Sequence, residues 1–273
     1  MADPPSCILT GGTRGRARPG SGRQTVPSSA GCGFLRERLP KLKKNENIDL
    51  VIANGENSAD GNGITPVSAD FLLNSGVDVI TLGNHAFRRK EIYDVLDKSE
   101  CIIRPANYPQ KTTPGKGYMI YDMGRVQVAV INLLGCMYLN PLDDPYTVID
   151  GILEKIDTKM IILDFHAEAT AEKMAMAYYL DGNVSAVFGT HTHVQTSDER
   201  ILPKGTGYIT DVGMTGPYES VLGIRPDIAV RKFRDKLPIK FETADGKCRL
   251  DCIKFTIDDK SGKTIALKRM EIL

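Results

Sequence analysis

From residue 48 onward, short apolar runs that end in polar clusters alternate with segments whose apolar positions recur at helical spacing. "IDLVIANGEN" (48–57) and "VDVITLGNH" (77–85) are such runs and predict buried strands. Between them "TPVSADFLLNSG" predicts a helix, with Thr65 as N-cap, Pro66 in the first turn and Gly76 as the stop. "RRKEIYDVLDKS" predicts a second helix with Ile92, Val95 and Leu96 on one face, and "FLRERLPKLKK" an amphipathic helix upstream. Strands follow at "CIIRPANY" and "VQVAVINLLG"; "KMIILDFHAEA" is a strand leading into the helix "AEKMAMAYYLDG". "VSAVFGTHTH" and "GYITDVG" add further strands, and "RLDCIKFTID" and "KTIALKRMEIL" around "DKSG" predict an antiparallel hairpin. Strands alternating with helices predict an α/β fold, which the terminal hairpin makes mixed.

The first 33 residues break this pattern. They are rich in Gly, Pro, Ser and Arg, hold no acidic residue between Asp3 and Glu37, and offer only Cys7 to Thr10 as a strand. That composition predicts a poorly ordered basic arm at 1–33, followed by one domain over 34–273. An acid-poor, Arg/Ser-rich start also suits a transit peptide, but its glycines and prolines oppose the amphipathic helix such a signal needs.

Composition narrows the function. The 35 basic side chains nearly balance the 34 acidic ones, so neither nucleic acid nor an anionic membrane is predicted as a partner. No apolar stretch approaches the ~20 residues of a membrane helix, and no signal peptide is visible. The six cysteines lack CxxC spacing and are expected to be free thiols in a reducing compartment, hence a cytoplasmic location.

Candidate chemistry collects at the strand ends, where α/β sheets bind ligands. "LVIANGEN" delivers Glu56 and Asn57, "VITLGNH" delivers Asn84 and His85, "IILDFH" delivers His166, and "AVFGTHTH" delivers His191 and His193. Every one of the four histidines in the chain is in this set. In an extended segment, residues two apart point to one side, so each imidazole of His191-Thr192-His193 can serve a different ion of a close pair. Imidazole, carboxylate and amide oxygens without thiolate suit Fe, Mn, Zn or Ni. In such pairs, ~3.5–4 Å apart, a carboxylate such as Glu56 bridges the ions and the pKa of a bound water falls. His85, next to Asn84, is placed to protonate a leaving oxygen. Asp164, two before His166, is either an orienting carboxylate or a buried structural residue. "TDVGMTGPYES" (210–220) is either a functional lid or an ordinary loop.

Together, "ANGEN", "LGNH", "RPANYP", "DFHAEAT", "GTHTHVQTSDERILPKGT" and "TDVGMTGP" resemble the bacterial YmdB-like metallophosphoesterases of the calcineurin-like superfamily, from about residue 34 to the C-terminus. The resemblance implies a four-layer α/β/β/α sandwich with mixed sheets. It also implies a dinuclear centre, iron foremost with manganese or zinc as alternatives, and phosphodiesterase activity on cyclic nucleotides, 2′,3′-cyclic and also 3′,5′-cyclic. On that likeness Glu56 bridges both metals, Asn57 and His193 bind the first, Asn84, His166 and His191 bind the second, and His85 is the proton donor. A homo-oligomer is compatible with it.

The family pattern also expects a first strand ending in "GDxxG", whose Asp binds the first metal. Here the nearest counterpart is "TGGTRG" (10–15), with Gly12 in the place of that Asp. Glycine offers no side-chain ligand, so the first site is expected to bind weakly. Genuine divergence and a locally shifted reading frame across about Cys7–Gly33 both account for the change. The alternative function is a catalytically weak or inactive regulatory protein that keeps a metal or nucleotide pocket.

Overall fold

The computed structural model describes the backbone of residues 6–11, 30–59 and 61–273, and the side chains of residues 31–59 and 61–273. Gly12 lies outside the described residues. In chain order the first elements are β1 (Ser6–Gly11), α1 (Ala30–Asn45), β2 (Leu50–Asn54), α2 (Pro66–Asn74), β3 (Val79–Thr81), α3 (Tyr93–Lys98), β4 (Tyr118–Asp122) and β5 (Gln127–Leu134). They are followed by α4 (Pro145–Leu153), β6 (Met160–His166), α5 (Thr170–Tyr179), β7 (Ala186–Thr190), β8 (Arg200–Ile201) and β9 (Gly207–Ile209). The chain closes with β10 (Thr215–Pro217), α6 (Pro226–Asp235), β11 (Cys248–Ile257) and β12 (Thr264–Ile272).

Two six-stranded mixed sheets result, one ordered β10-β11-β1-β2-β3 with β12 on β11, the other β4-β5-β6-β7-β9-β8. Strand alternation decides the layering. On β2, Leu50 and Ile52 face the second sheet, while Val51 and Ala53 face α1 and α2. On β5, Val128 and Val130 face the first sheet, while Ala129, Ile131 and Leu133 face α4 and α5. Strands buried on both faces are apolar along their whole length, which is why they appear in sequence as unbroken runs. The protein is thus the four-layer α/β/β/α sandwich with mixed sheets.

Several elements depart from the sequence expectation. The helix expected at Phe34 begins at Ala30, and the short strand-like piece near Cys7 is β1, paired with β2 and β11. "CIIRPANY" is no strand: it makes a single bridge from Ile102 to Ile80. Its backbone then leaves the first sheet, the Arg104 N–H donating to Lys116 O (2.9 Å) and the Ala106 N–H to Asn132 O (2.8 Å), while Pro105 has no N–H to give. The helix expected at "RRKEIYDVLDKS" is a 3-10 turn at Lys90–Ile92 followed by the short α3. Thr65 does cap α2, its hydroxyl accepting from Ser68 N, and Gly76 beyond the helix has φ 105°. Cys101, Cys136 and Cys248 are free thiols. Among the described residues no helix is long and apolar enough to cross a membrane.

One buried group on β11 sets a pH dependence. Asp251 is fully buried, and Arg249 Nε approaches its Oδ1 to 2.8 Å without the alignment of a hydrogen bond. Burial pushes its pKa up to about 6, more than the Arg249 charge lowers it. The folded-state value lies above the unfolded value of ~3.9. The native state therefore holds the extra proton between those limits, and stability falls as pH rises through that window and stays reduced above it. Asp251→Asn is expected to stabilise the protein by roughly 1–2 kcal/mol at pH 7.5 and to change little at pH 4. Urea unfolding at both pH values checks this; an equal effect at both would refute it.

Candidate metal centre

The ends of β2 and β3, parallel in one sheet, and of β6 and β7, parallel in the other, open on one side of the sandwich, where Glu56 and Asn84 meet His166. The seven polar residues picked from the sequence stand at these four strand ends, His166 as the last residue of β6 and the other six beyond β2, β3 and β7. Their tightest junction surrounds His166 Nε2. It lies 3.1 Å from Glu56 Oε1, 2.9 Å from Asn84 Oδ1 and 3.1 Å from His191 Nδ1. One ligand atom each of Glu56, His166 and His191 falls within 4.8 Å of the others.

The second layer of contacts sets the electronic state of this junction. Thr190 Oγ1 donates to Asp164 Oδ1 (2.7 Å), so it accepts from His166 Nδ1 (2.9 Å). That contact places a proton on Nδ1 and aims Nε2 at Glu56, Asn84 and His191. Burial pushes the Glu56 carboxyl up, but the His166 and His85 contacts outweigh it and hold the group ionised, down to about 2. Burial, joined by the His166 charge, carries His191 down to about 3, so it is neutral at pH 7. A carboxylate, an amide oxygen and two imidazole nitrogens converge on one small volume. That donor set fits a metal ion with N/O preference.

Beside it lies a second group. Asn57 Nδ2 is 3.5 Å from His193 Nε2, and His85 Nδ1 is 2.7 Å from Asn57 Oδ1. Glu56 joins the groups, because its Oε2 accepts from the His85 backbone N–H (2.8 Å) while Oε1 faces His166. Glu56, Asn57, His166 and His193 are buried; Asn84, His85 and His191 are half-buried at the mouth.

His191 and His193 are not in an extended segment. β7 stops at Thr190, and the two residues have φ of 99° and 63°. The expected same-side geometry of an H-x-H strand is thus replaced by a left-handed turn, which aims one ring at His166 and the other at Asn57. The segment 210–217 is buried rather than a lid. Its Asp211 accepts from Thr192 N, Thr192 Oγ1 and Lys173 Nζ.

Asp164 is an orienting carboxylate: it accepts from Thr81 (2.5 Å), Thr190 and Asn54 (3.3 Å), three side chains that surround His166. Burial raises it to about 6 against the lowering by His166 and these hydrogen bonds. Sequence reading missed Asn54, Thr81, Thr190 and Glu168. Glu168 Oε2 lies 3.0 Å from His191 Nε2, fixing that ring from the solvent side as carboxylates do for metal-bound imidazoles. Its position two residues after His166 was the one signal available for it.

A four-layer sandwich with histidine, asparagine and glutamate donors gathered at its strand ends defines a metallophosphoesterase-type enzyme. The chain belongs to the YmdB-like protein family, whose model matches residues 25–270. It is 46% identical to the 2′,3′-cyclic-nucleotide 2′-phosphodiesterase of Bacillus subtilis, over 90% of this chain and 94% of that one. Its fold is similar to a novel phosphatase from Mycoplasma pneumoniae (TM-score 0.85, 32% identity, covering 100% and 94% of the two chains). It is equally similar to a hypothetical protein from Thermus thermophilus (TM-score 0.84, 38% identity, 98% of each chain).

Proposed function

We propose that the chain is a metal-dependent phosphodiesterase that opens 2′,3′-cyclic nucleotides, with Glu56, Asn84, His166 and His191 holding one metal ion and Glu56, Asn57 and His193 a second. The observation that carries this reading is the junction of Glu56, Asn84 and His191 on Nε2 of His166. The name of the Bacillus subtilis relative supports the substrate class. Iron is the foremost candidate on the family resemblance, with manganese or zinc as alternatives that the donor chemistry equally admits. When bound, the metals supply positive charge to the phosphoryl oxygens and acidify water.

The chain's own groups divide the remaining work. Glu56 stays ionised and shares its two oxygens between the two donor groups. Thr190, Asp164 and Glu168 keep both imidazole lone pairs turned inward. His85 protonates the ribose 2′-oxygen as water adds to phosphorus and the P–O2′ bond breaks, leaving a 3′-monophosphate. Its Nδ1 lies 2.7 Å from Asn57 Oδ1, so the proton for the leaving oxygen is assigned to the other ring nitrogen, Nε2.

Hydrolysis of 2′,3′-cAMP with Mn or Fe supplied tests the reading, with 3′,5′-cAMP as the comparison substrate. Turnover no greater than that of His166→Ala rejects it for this chain. Gly12 motivates the second reading, a pocket retained without strong catalysis. Gly12→Asp is therefore expected to raise bound Mn from about one toward two per chain and to raise kcat by about a hundredfold. Equal metal content and rate before and after would show that position 12 does not limit the site.

A further inference from the structure

We propose that the buried Lys173–Asp211 pair is a positioning device for the His191-Thr192-His193 turn, acting through Thr192. The inference rests on the metal-site reading above. Lys173 on α5 and Asp211 beyond β9 are both fully buried, with Nζ 2.9 Å from Oδ2. The same Oδ2 accepts from the Thr192 backbone N–H (3.0 Å) and from Thr192 Oγ1 (2.8 Å). The other oxygen, Oδ1, accepts from Gly213 N (2.9 Å). Four donors on one carboxylate fix it in position and orientation, and three of them meet at a single oxygen.

Thr192 is the residue between the two imidazoles. Its neighbours carry φ of 99° and 63°, a backbone region uncommon for residues other than glycine, and two such residues flank Thr192. The clamp grips the turn at its middle by both main chain and side chain, and so constrains it. His191 has a further brace in Glu168. His193 has none comparable: among the described residues its ring makes one hydrogen-bond contact, with Asn57 at 3.5 Å. Both rings therefore take their direction from the backbone that Asp211 holds, His193 without a second brace and His191 together with Glu168.

A purely stabilising role explains the pair poorly. A buried ion pair seldom stabilises a fold more than apolar residues of the same volume would, and fixing one arrangement is its best-attested use. Lys173 sets a donor of opposite charge against the Asp211 carboxylate, which also accepts from three neutral donors in a dry setting. The stem of Lys173 also runs beneath Gly189, a Cβ there lying 2.8 Å from its Cδ, so α5, β7 and the turn are packed as one unit.

Binding of Mn2+ alone, by calorimetry, together with the melting temperature of the metal-free protein, tests the device. Thr192→Val keeps the backbone N–H and the shape but loses the hydroxyl donor. It is expected to weaken Mn2+ binding about tenfold, the low end for loss of a group that orients a ligand, with little change in melting temperature. Thr192→Ser is expected to bind as the parent does. Asp211→Asn is expected to weaken binding by ~10–100-fold. Should Asp211→Asn fail to fold, Thr192→Val decides alone. Parent-like Mn2+ affinity in Thr192→Val would overturn the device even if the melting temperature fell. A parent protein that binds no Mn2+ would overturn the metal-site reading itself, and this inference with it.

Discussion

Gly83→Ala is expected to abolish metal uptake and phosphodiester hydrolysis while leaving the protein folded. Gly83 precedes Asn84 at the end of β3, and its φ is not in the left-handed region, so alanine meets no backbone obstacle there. The obstacle is the site. A Cβ would lie 2.3 Å from His166 Nε2, 2.4 Å from His166 Cε1 and 2.5 Å from Glu56 Oε2. These are the nitrogen at the centre of the donor junction and an oxygen of the shared carboxylate. His166 cannot retreat, because Thr190 holds its other nitrogen and Asp164 holds Thr190. The methyl group must therefore displace the imidazole or the carboxylate from the point where the lone pairs meet. A misplacement of ~1 Å in a reacting constellation costs about a hundredfold in rate, and here the ligand set itself is disrupted, so a loss of at least that size is expected. Mn content per chain and 2′,3′-cAMP turnover measure it. A Gly83→Ala protein with parental metal content and rate would show that His166 and Glu56 do not form the working junction.

Gly189→Ala is expected to act on stability instead. Gly189 lies in β7, directly before Thr190, and a Cβ there would stand 1.8 Å from the Thr210 carbonyl oxygen and 2.8 Å from Lys173 Cδ. The first neighbour is backbone and has no rotamer with which to yield. Thr210 is further held by Asp198, which accepts from its N–H (3.1 Å) and its hydroxyl (2.5 Å). Relief requires β7 and the strand end at Thr210 to separate, which breaks the bond from Val212 N to Gly189 O (3.1 Å) and disturbs the inter-sheet core at Phe188 and Ile209. Overpacking of a well-packed core costs ~1–3 kcal/mol, and a backbone collision belongs at the top of that range. About 3 kcal/mol corresponds to roughly 6–12 °C in melting temperature for a domain of this size. A melting curve within about 2 °C of the parent would refute the close approach of these two backbones.

The two glycines mark a limit of sequence reading. "LGNH" and "VFGTHTH" announce their polar residues, since these break apolar runs at strand ends. The glycines beside them look like ordinary turn residues, because the atoms that exclude a side chain come from His166, Glu56 and Thr210, remote in the chain. The same holds for the orienting layer. Asn54 reaches Asp164 across 110 positions, and Lys173 reaches Asp211 across 38. Periodicity carries no record of such pairs. The left-handed turn at His191 and His193 is also invisible in sequence, because positive φ is uncommon for any residue but glycine and two such residues here follow an apolar run that reads as strand. "CIIRPANY" has the apolar start of a strand, and that start does bridge to Ile80 before the backbone crosses to the other sheet.

What the chain by itself determined is therefore the number of layers and the inventory of donors. Apolar runs of strand length, buried on both faces, require sheets covered by helices, and every histidine stands where such a run ends. What only the tertiary structure decided is which lone pair meets which. Apolar burial is non-directional and brings the two sheets together along Leu50, Ile52, Phe188 and Ile253. A metal site needs its donors placed to a fraction of an ångström, and that accuracy comes from Thr190, Asp164, Glu168 and the Lys173–Asp211 clamp, whose partners become neighbours only after the sandwich has closed.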